Sequence, residues 1–246
     1  NTIVVLANGA PVTMPWINQV SGVLEGYLGG QASGGGLADI LMGTENPGDK
    51  LAETFPMARS DVPSTAWVPG EHRQMQYREG VYIGYRYFDT ARRGVLFPFG
   101  HGLSYTEFHY LDVRADNSSL TADRPVTLSV QVKNSGARAG AEVVQVYRHS
   151  VGSATHQPEQ QLCGFTKITL QAGETRTATI ALDAESFRVF DHGAQQWVLE
   201  AGSVQLRIGS SSRDIRLTQA INVVSKQTLS DLAMTTVAPE FPPVDS

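Results

Sequence analysis

Cysteine is all but missing from this sequence. Cys163 is the single one in 246 residues, so the chain closes no internal disulfide, builds no cysteine metal cluster and says nothing about redox compartment. Runs of roughly eighteen apolar residues are also missing, which removes the expectation of a membrane-spanning helix. No face is strongly basic: the net charge is −5, and −3 of it falls on residues 1–110, so nucleic acid is not an expected partner. His72, His109, His149, His156 and His192 have no metal-ligand spacing, and no metal or cofactor is expected.

With 41% hydrophobic and 17% charged residues, the chain has the composition of a globular protein long enough for one large domain or two ordinary ones. It begins Asn1-Thr2-Ile3-Val4-Val5-Leu6, without a methionine or a basic-then-apolar leader, and reads as a piece of a longer protein. Thr2 to Ala7 is a continuous apolar run ending at Asn8-Gly9, the pattern of a fully buried strand in a parallel sheet. Trp16 to Tyr27 has apolar spacings that fit either a helix or a helix followed by a strand. The glycine run Gly29 to Gly36 leads into Leu37, Ala38, Ile40 and Leu41, one helical face that stops at Gly43. That loop lacks the lysine and hydroxyl of a phosphate-binding loop and the dinucleotide spacing, so it reads as a tight turn with close helix-to-sheet packing.

Asn46-Pro47-Gly48-Asp49 is a turn by composition. Met57 to Gln76 is irregular and reads as a long surface loop. Tyr82, Tyr85 and Tyr87 follow; such a stripe can stack on sugar rings, but packing against a neighbouring domain is the preferred reading. Phe97-Pro98-Phe99-Gly100-His101-Gly102-Leu103-Ser104-Tyr105 is too apolar for a free linker. It reads as a rigid, buried plate between two domains, with Pro98 fixing its own φ and the glycines permitting close turns. His101, between two glycines at this joint, is expected to hold a structural hydrogen bond and not to act as a general base.

Beyond Phe108 the period becomes two. Val126, Leu128, Val130 and Val132 alternate with polar residues, and the beat returns at Val144 and Val146, at Ala178, Ile180 and Leu182, and at Val204, Leu206 and Ile208. Turn signals at Asn134-Ser135-Gly136, Ala172-Gly173-Glu174, Asp191-His192-Gly193 and Ala201-Gly202 separate them. Short alternating strands at this spacing predict a two-sheet antiparallel sandwich, fibronectin-like in the absence of a cysteine pair. Cys163 in Leu162-Cys163-Gly164-Phe165 reads as a buried structural thiol. Lys226 onward is polar and ends in Pro239-Glu240-Phe241-Pro242-Pro243, an extended or disordered tail.

Four ordered stretches carry a resemblance. Asn8-Gly9-Ala10-Pro11-Val12-Thr13-Met14-Pro15-Trp16, the run from Gly43 to Pro56, the run from Tyr77 to Asp89, and Phe97 to Tyr105 resemble, in order, the second domain of the family 3 glycoside hydrolases, the β-glucosidase family. The resemblance implies the C-terminal part of an α/β sandwich domain with parallel strands over residues 1–110. A fibronectin/immunoglobulin-like all-β sandwich over 111–224 and a Pro-containing tail over 225–246 would follow. One departure stands out: many members have Pro-Gly-Gln-Glu-Gly-Gly where this chain has Gly29-Gly30-Gln31-Ala32-Ser33-Gly34, so that glutamate's role is absent.

Retaining hydrolysis of a β-linked glycoside needs two carboxyl groups, one nucleophile and one acid/base. In the resembled family the nucleophilic aspartate stands on a separate barrel domain in a Ser-Asp-Trp-like context, and the acid/base glutamate comes from a loop preceding the strand with which this sequence opens. Ser60-Asp61-Val62 and Ser230-Asp231-Leu232 do not match the first. The expectation is therefore no catalytic residue within this chain and a partner barrel upstream. Glu71 and Glu79 are the weak candidates for touching substrate, with pairing to Arg73 or Arg78 as the plainer role. The competing reading is a non-catalytic carbohydrate-binding or scaffold module, against which stands the expectation that most of Tyr147, Phe165, Phe187, Phe190 and Trp197 are buried.

Overall fold

A computed structural model describes residues 1–70, 72–153 and 155–225. The first part has little regular structure. Strand β1 (Ile3–Leu6) lies parallel to β2 (Gly22–Glu25), with Ile3 opposite Gly22 and Leu6 opposite Glu25. Between them Ile17–Gln19 makes a short 3-10 helix, so of the two readings left open for Trp16 to Tyr27, a helix or a helix followed by a strand, the second is adopted, with its helix cut to three residues. Helix α1 (Ser33–Met42) begins inside the glycine run and ends at Gly43, whose φ of 74° closes the last turn. The burial expected of β1 is not observed: Ile3 is 54% and Val5 39% exposed. A strand with a single paired neighbour leaves one face of its apolar run without cover.

Strand β3 (Phe55–Pro56) pairs antiparallel with β4 (Val95–Phe97). The segment between them carries two 3-10 turns, Arg59–Asp61 and Pro63–Trp67, and helix α2 (Tyr85–Thr90). The described remainder of the Met57 to Gln76 stretch, which leaves out residue 71, is a largely exposed loop, as its composition predicts. Asp61 accepts the Ala58 amide N–H at 2.8 Å, closing the first 3-10 turn.

The sandwich starts at β5 (Phe108–Ala115) and continues through β6 (Ser119–Leu120), β7 (Val126–Asn134), β8 (Gly140–Ser150), β9 (Gln161–Leu170) and β10 (Thr175–Leu182). A hairpin of β11 (Arg188–Asp191) and β12 (Gln196–Leu199) precedes the long pair β13 (Gly202–Ser211) and β14 (Asp214–Val223). One sheet has the order β10-β7-β5 and the other β6-β14-β13-β8-β9, with only the short β6 parallel to its neighbour. Every alternating position named from the sequence between Val126 and Ile208 is buried between the sheets, and Leu120, Leu128, Val144, Leu182 and Leu206 are wholly excluded from water. Cys163 lies in the same core, and burial pushes its thiol up to about 12.

Three further differences from the sequence reading share one cause. Asn46-Pro47-Gly48-Asp49 forms no turn; it runs as a strap over β8, where a Cβ on Gly48 would stand 2.8 Å from the Ala141 Cβ. Leu103 is 78% and Tyr105 46% exposed, and Phe97, Pro98 and Phe99 are half-buried, so only Gly100 of the joint is buried. Phe165 and Trp197 are 64% and 62% exposed while Tyr147 and Phe187 are buried. In each case the neighbour that decides burial comes from a distant stretch of chain. The tail from residue 226, with Asp231, lies outside the described residues.

Candidate functional site: the groove and latch between the two parts

The strap from Asn46 to Leu51 and the joint from Phe97 to Tyr105 lie side by side. The Leu51 amide donates to the His101 carbonyl and the Gly100 amide to the Leu51 carbonyl, both at 2.8 Å. Asn46 ties the strap at both ends of its side chain: Nδ2 donates to the Ala139 carbonyl at 2.8 Å, while Oδ1 accepts the Tyr105 amide at 2.8 Å and the Ser104 hydroxyl at 3.0 Å. The Arg138 guanidinium donates to the Gly43 carbonyl, and Tyr105 donates its hydroxyl to the Ile40 carbonyl at 2.8 Å, fastening the end of α1.

Beneath the strap lies a buried charge network. Lys50 Nζ stands 3.1 Å from Glu142 Oε2 and donates to the Gly102 carbonyl at 2.9 Å. Tyr110 donates its hydroxyl to Glu142 Oε1 at 2.9 Å. Burial, then the adjacent Glu142 carboxylate, pushes the Tyr110 phenol far upward, so it remains a donor. Arg216 lies over the Tyr110 ring at 4.8 Å and pairs with Asp214 at 2.7 Å. Hydrogen bonding from Arg216 holds the Asp214 carboxyl below its usual range. The buried Lys50–Glu142 pair is mutually satisfied, which is the condition under which buried charge is tolerated, whereas Arg216 and Asp214 beside it are 32% and 48% exposed.

Aromatic packing makes the second contact. Tyr85 of α2 stacks on Phe99 at 4.6 Å and meets the Tyr147 ring edge-on at 5.9 Å, and its hydroxyl accepts the Leu162 amide at 2.8 Å. Gln145 of β8 donates to the Gly100 carbonyl at 3.2 Å and to the Ser210 carbonyl at 2.6 Å. Gly100 has φ of 80°, and a side chain there would overlap Gln145. Of the tyrosine stripe, Tyr85 is therefore spent on packing, in line with the preferred reading, and Tyr87 is buried beside Phe88.

Between β2, α1, the strap and Lys167 of β9 opens a groove of about 920 Å³. Its polar groups include Glu25, Tyr27, Asp49, Lys50 and His101, with Lys167 bonded to Asp49 at 2.6 Å. Glu25 accepts the Tyr27 amide at 2.8 Å and the Asn8 side-chain N–H at 3.3 Å, which shapes the turn after β2. Glu53 sits half-buried nearby; burial first, then repulsion from Glu25, raises its pKa, and its Oε2 has no protein partner. Asn8 Oδ1 and the Thr54 hydroxyl are buried without a partner as well. Glu25 and Glu53 escaped the sequence reading, although a carboxylate at the carboxyl end of a parallel strand is a signal for a ligand-facing position.

The sequence candidates fare differently. Glu79 does not line the groove, its backbone carbonyl accepts the Tyr82 amide at 2.9 Å, and its neighbour Arg78 lies over Trp67 at 3.9 Å while donating to Gln76. Glu71 lies outside the described residues. The His101 ring stacks on Phe97 at 5.2 Å; burial, then the Lys50 charge, lowers its pKa and keeps it neutral near pH 7. Among the described residues no three His, Cys, Asp or Glu side chains gather as metal ligands.

Comparison with known proteins identifies two parts of the chain. Residues 1–105 match the glycosyl hydrolase family 3 C-terminal domain and residues 142–212 the fibronectin type III-like domain. The chain is 48% identical over 225 residues to thermostable beta-glucosidase B of Acetivibrio thermocellus, covering 92% of this chain and 30% of that protein. It is 39% identical over 222 residues to an exo-alpha-(1->6)-L-arabinopyranosidase of Bifidobacterium breve, covering 90% and 29%. Among solved structures, a beta-glucosidase from Streptomyces venezuelae in complex with D-glucose superposes with a TM-score of 0.85 at 39% identity, over 91% of this chain and 29% of that one. The chain therefore spans about 30% of the length of the curated relatives it matches.

Proposed function

The chain carries the C-terminal domain of glycosyl hydrolase family 3 joined to a fibronectin type III-like domain, and from that premise we propose that it serves a retaining glycoside hydrolase acting on O-glycosyl bonds of β-glucosides. The observation that carries this reading is the 48% identity to a beta-glucosidase across both parts of the chain. Its role in that reaction is to wall the sugar-binding cleft and to keep the α/β part and the sandwich in register.

The hydrolytic step needs a nucleophile and an acid/base across one glycosidic bond. Glu25 is held by Asn8 and Tyr27, Asp214 by Arg216, and Glu142 by Lys50 and Tyr110. These carboxylates are engaged in structure, which supports a nucleophile and an acid/base supplied from outside these 246 residues, on a barrel domain and its facing loop. Glu71 and Glu79 remain the candidates for touching the sugar from this side. The relatives include both a beta-glucosidase and an arabinopyranosidase, in keeping with a sugar preference set by the cleft as a whole.

Hydrolysis of a chromogenic aryl β-glucoside tests this. The chain alone is expected to show no turnover. A chimera in which it replaces the matching 30% of the Acetivibrio thermocellus relative is expected to turn over, with Glu71→Gln and Glu79→Gln changing KM. Turnover by the isolated chain, abolished in one of those variants, would place the acid/base here and overturn the reading; a folded but inert chimera would favour the non-catalytic module.

A further inference from the structure

A second cavity, of about 520 Å³, lies where the end of α2 meets β13 and β14, and it shares no residue with the groove. Its lining includes Arg92, Arg207, Arg213, Asp89, Gln160 and Ser212. Three arginines facing one cavity are uncommon without a reason, because like charges repel and each guanidinium needs acceptors. The bonds within the protein use only part of their capacity. Arg213 Nε pairs with Asp89 Oδ1 at 2.8 Å, and Nη2 donates to the Phe88 and Arg93 carbonyls at 3.1 and 2.8 Å. Arg207 Nη1 pairs with Glu159 at 2.9 Å and reaches Gln160 Oε1 at 3.3 Å, and its Nε donates to Gln205 at 3.0 Å.

What is left over points the same way. Arg207 Nη2 and Arg213 Nη1 are not used in those bonds, and Arg92 makes no side-chain hydrogen bond or ion pair among the described residues. Ser212 is 3% exposed, yet its hydroxyl has no partner. A buried hydroxyl without a partner calls for an explanation. The acidic groups do not cancel the field: Asp89 is held by Arg213 and by Gln160 Nε2 at 3.2 Å, and Glu159 by Arg207. One positive charge remains. Arg92 is also presented from a backbone with φ of 51°, a conformation that favours glycine or asparagine over arginine. One carbonyl of the last turn of α2, that of Phe88, is covered by Arg213 Nη2.

We propose that this cavity is an oxyanion site, in which Arg92, Arg213 and Arg207 bind the phosphate or carboxylate of a small polar ligand. Guanidinium forks match both groups, and the open depression around them has room for a ligand larger than a bare ion. The site shares no residue with the groove beside β2, and does not depend on the hydrolytic reading.

Titration calorimetry of the 246-residue chain with inorganic phosphate, glucuronate and glucose, at ionic strength held constant with sodium chloride, is the test. Saturable binding of phosphate or glucuronate is expected, weakened at least about tenfold in Arg92→Ala, as loss of a charged donor requires. Which of the two binds assigns the source of the oxyanion. Arg92 is exposed, so this variant keeps its fold. Labelling of arginines by phenylglyoxal gives an independent readout, with Arg92 protected by the ligand that binds. Binding of neither oxyanion, equal binding of glucose, or affinity unchanged in Arg92→Ala overturns the proposal.

Discussion

Lys50 Nζ and Glu142 Oε2 lie 3.1 Å apart with side chains 10% and 3% exposed, and they join the strap of the first part to β8 of the sandwich. Removing one partner leaves the other charge buried. Lys50→Met is expected to destabilise the chain by about 3–5 kcal/mol, and Lys50→Met with Glu142→Leu to recover much of that loss. Urea unfolding of the two singles and the double decides it; simple additivity would show that the two charges do not act as a pair.

Asn46 holds three groups that have no other secondary-structure partner. Asn46→Ala is expected to cost about 0.5–1.5 kcal/mol, the net worth of a typical hydrogen bond, because the groups it leaves unpaired are exposed or only partly buried. It should also speed hydrogen exchange at the Tyr105 amide, whose acceptor is Asn46 Oδ1. Asn46→Asp keeps that acceptor and should spare the Tyr105 amide. Equal exchange in all three proteins would remove Asn46 from the latch.

Gly100 combines φ of 80° with the Gln145 side chain where a Cβ would stand. Gly100→Ala should therefore lower Tm by more than the small change typical of an exposed glycine, and Gln145→Ala beside it should relieve part of the loss. A wild-type Tm for Gly100→Ala would mean that the joint readily shifts.

His101 has a lowered pKa, so its neutral form is the one the fold favours. Such a group contributes stability that is present above its unfolded value, about 6.5, and is lost as pH falls through the folded value. Glu53 has the opposite sign: its raised pKa favours the protonated form, so stability falls as pH rises through that value. His101→Phe, which keeps the stack on Phe97, should flatten the stability profile just below pH 6.5, and Glu53→Gln should raise stability near neutrality. Unfolding curves across pH 4 to 8 read both.

Cys163 is buried in the core, with its thiol pushed up to about 12. It should resist a thiol-specific disulfide reagent in the folded chain and react fully in denaturant. Rapid labelling of the folded chain would instead reveal local opening of β9.

The two-sheet sandwich was legible residue by residue. Val126, Leu128, Val130 and Val132 alternate with polar neighbours, and a half-buried strand needs nothing beyond that local period to identify it. Gly43 as a helix stop and the parallel pairing expected of Ile3 to Leu6 were legible for the same reason: each is a property of a few adjacent residues. The family could be recognised because its motifs are short and keep their order.

What lies between distant stretches was not. Asn46-Pro47-Gly48-Asp49 has the composition of a turn, yet Ala139, Ala141 and Tyr105 draw it out as a strap. Lys50 meets Glu142, Tyr85 meets Tyr147, and Arg92 faces Arg207 and Arg213 across spans that no local pattern encodes. Charge pairing and burial depend on which surfaces meet. The sequence by itself determined the elements, their period and the family; only the tertiary structure decided which charges are paired, which aromatics are covered, and which arginines are left with unused donors.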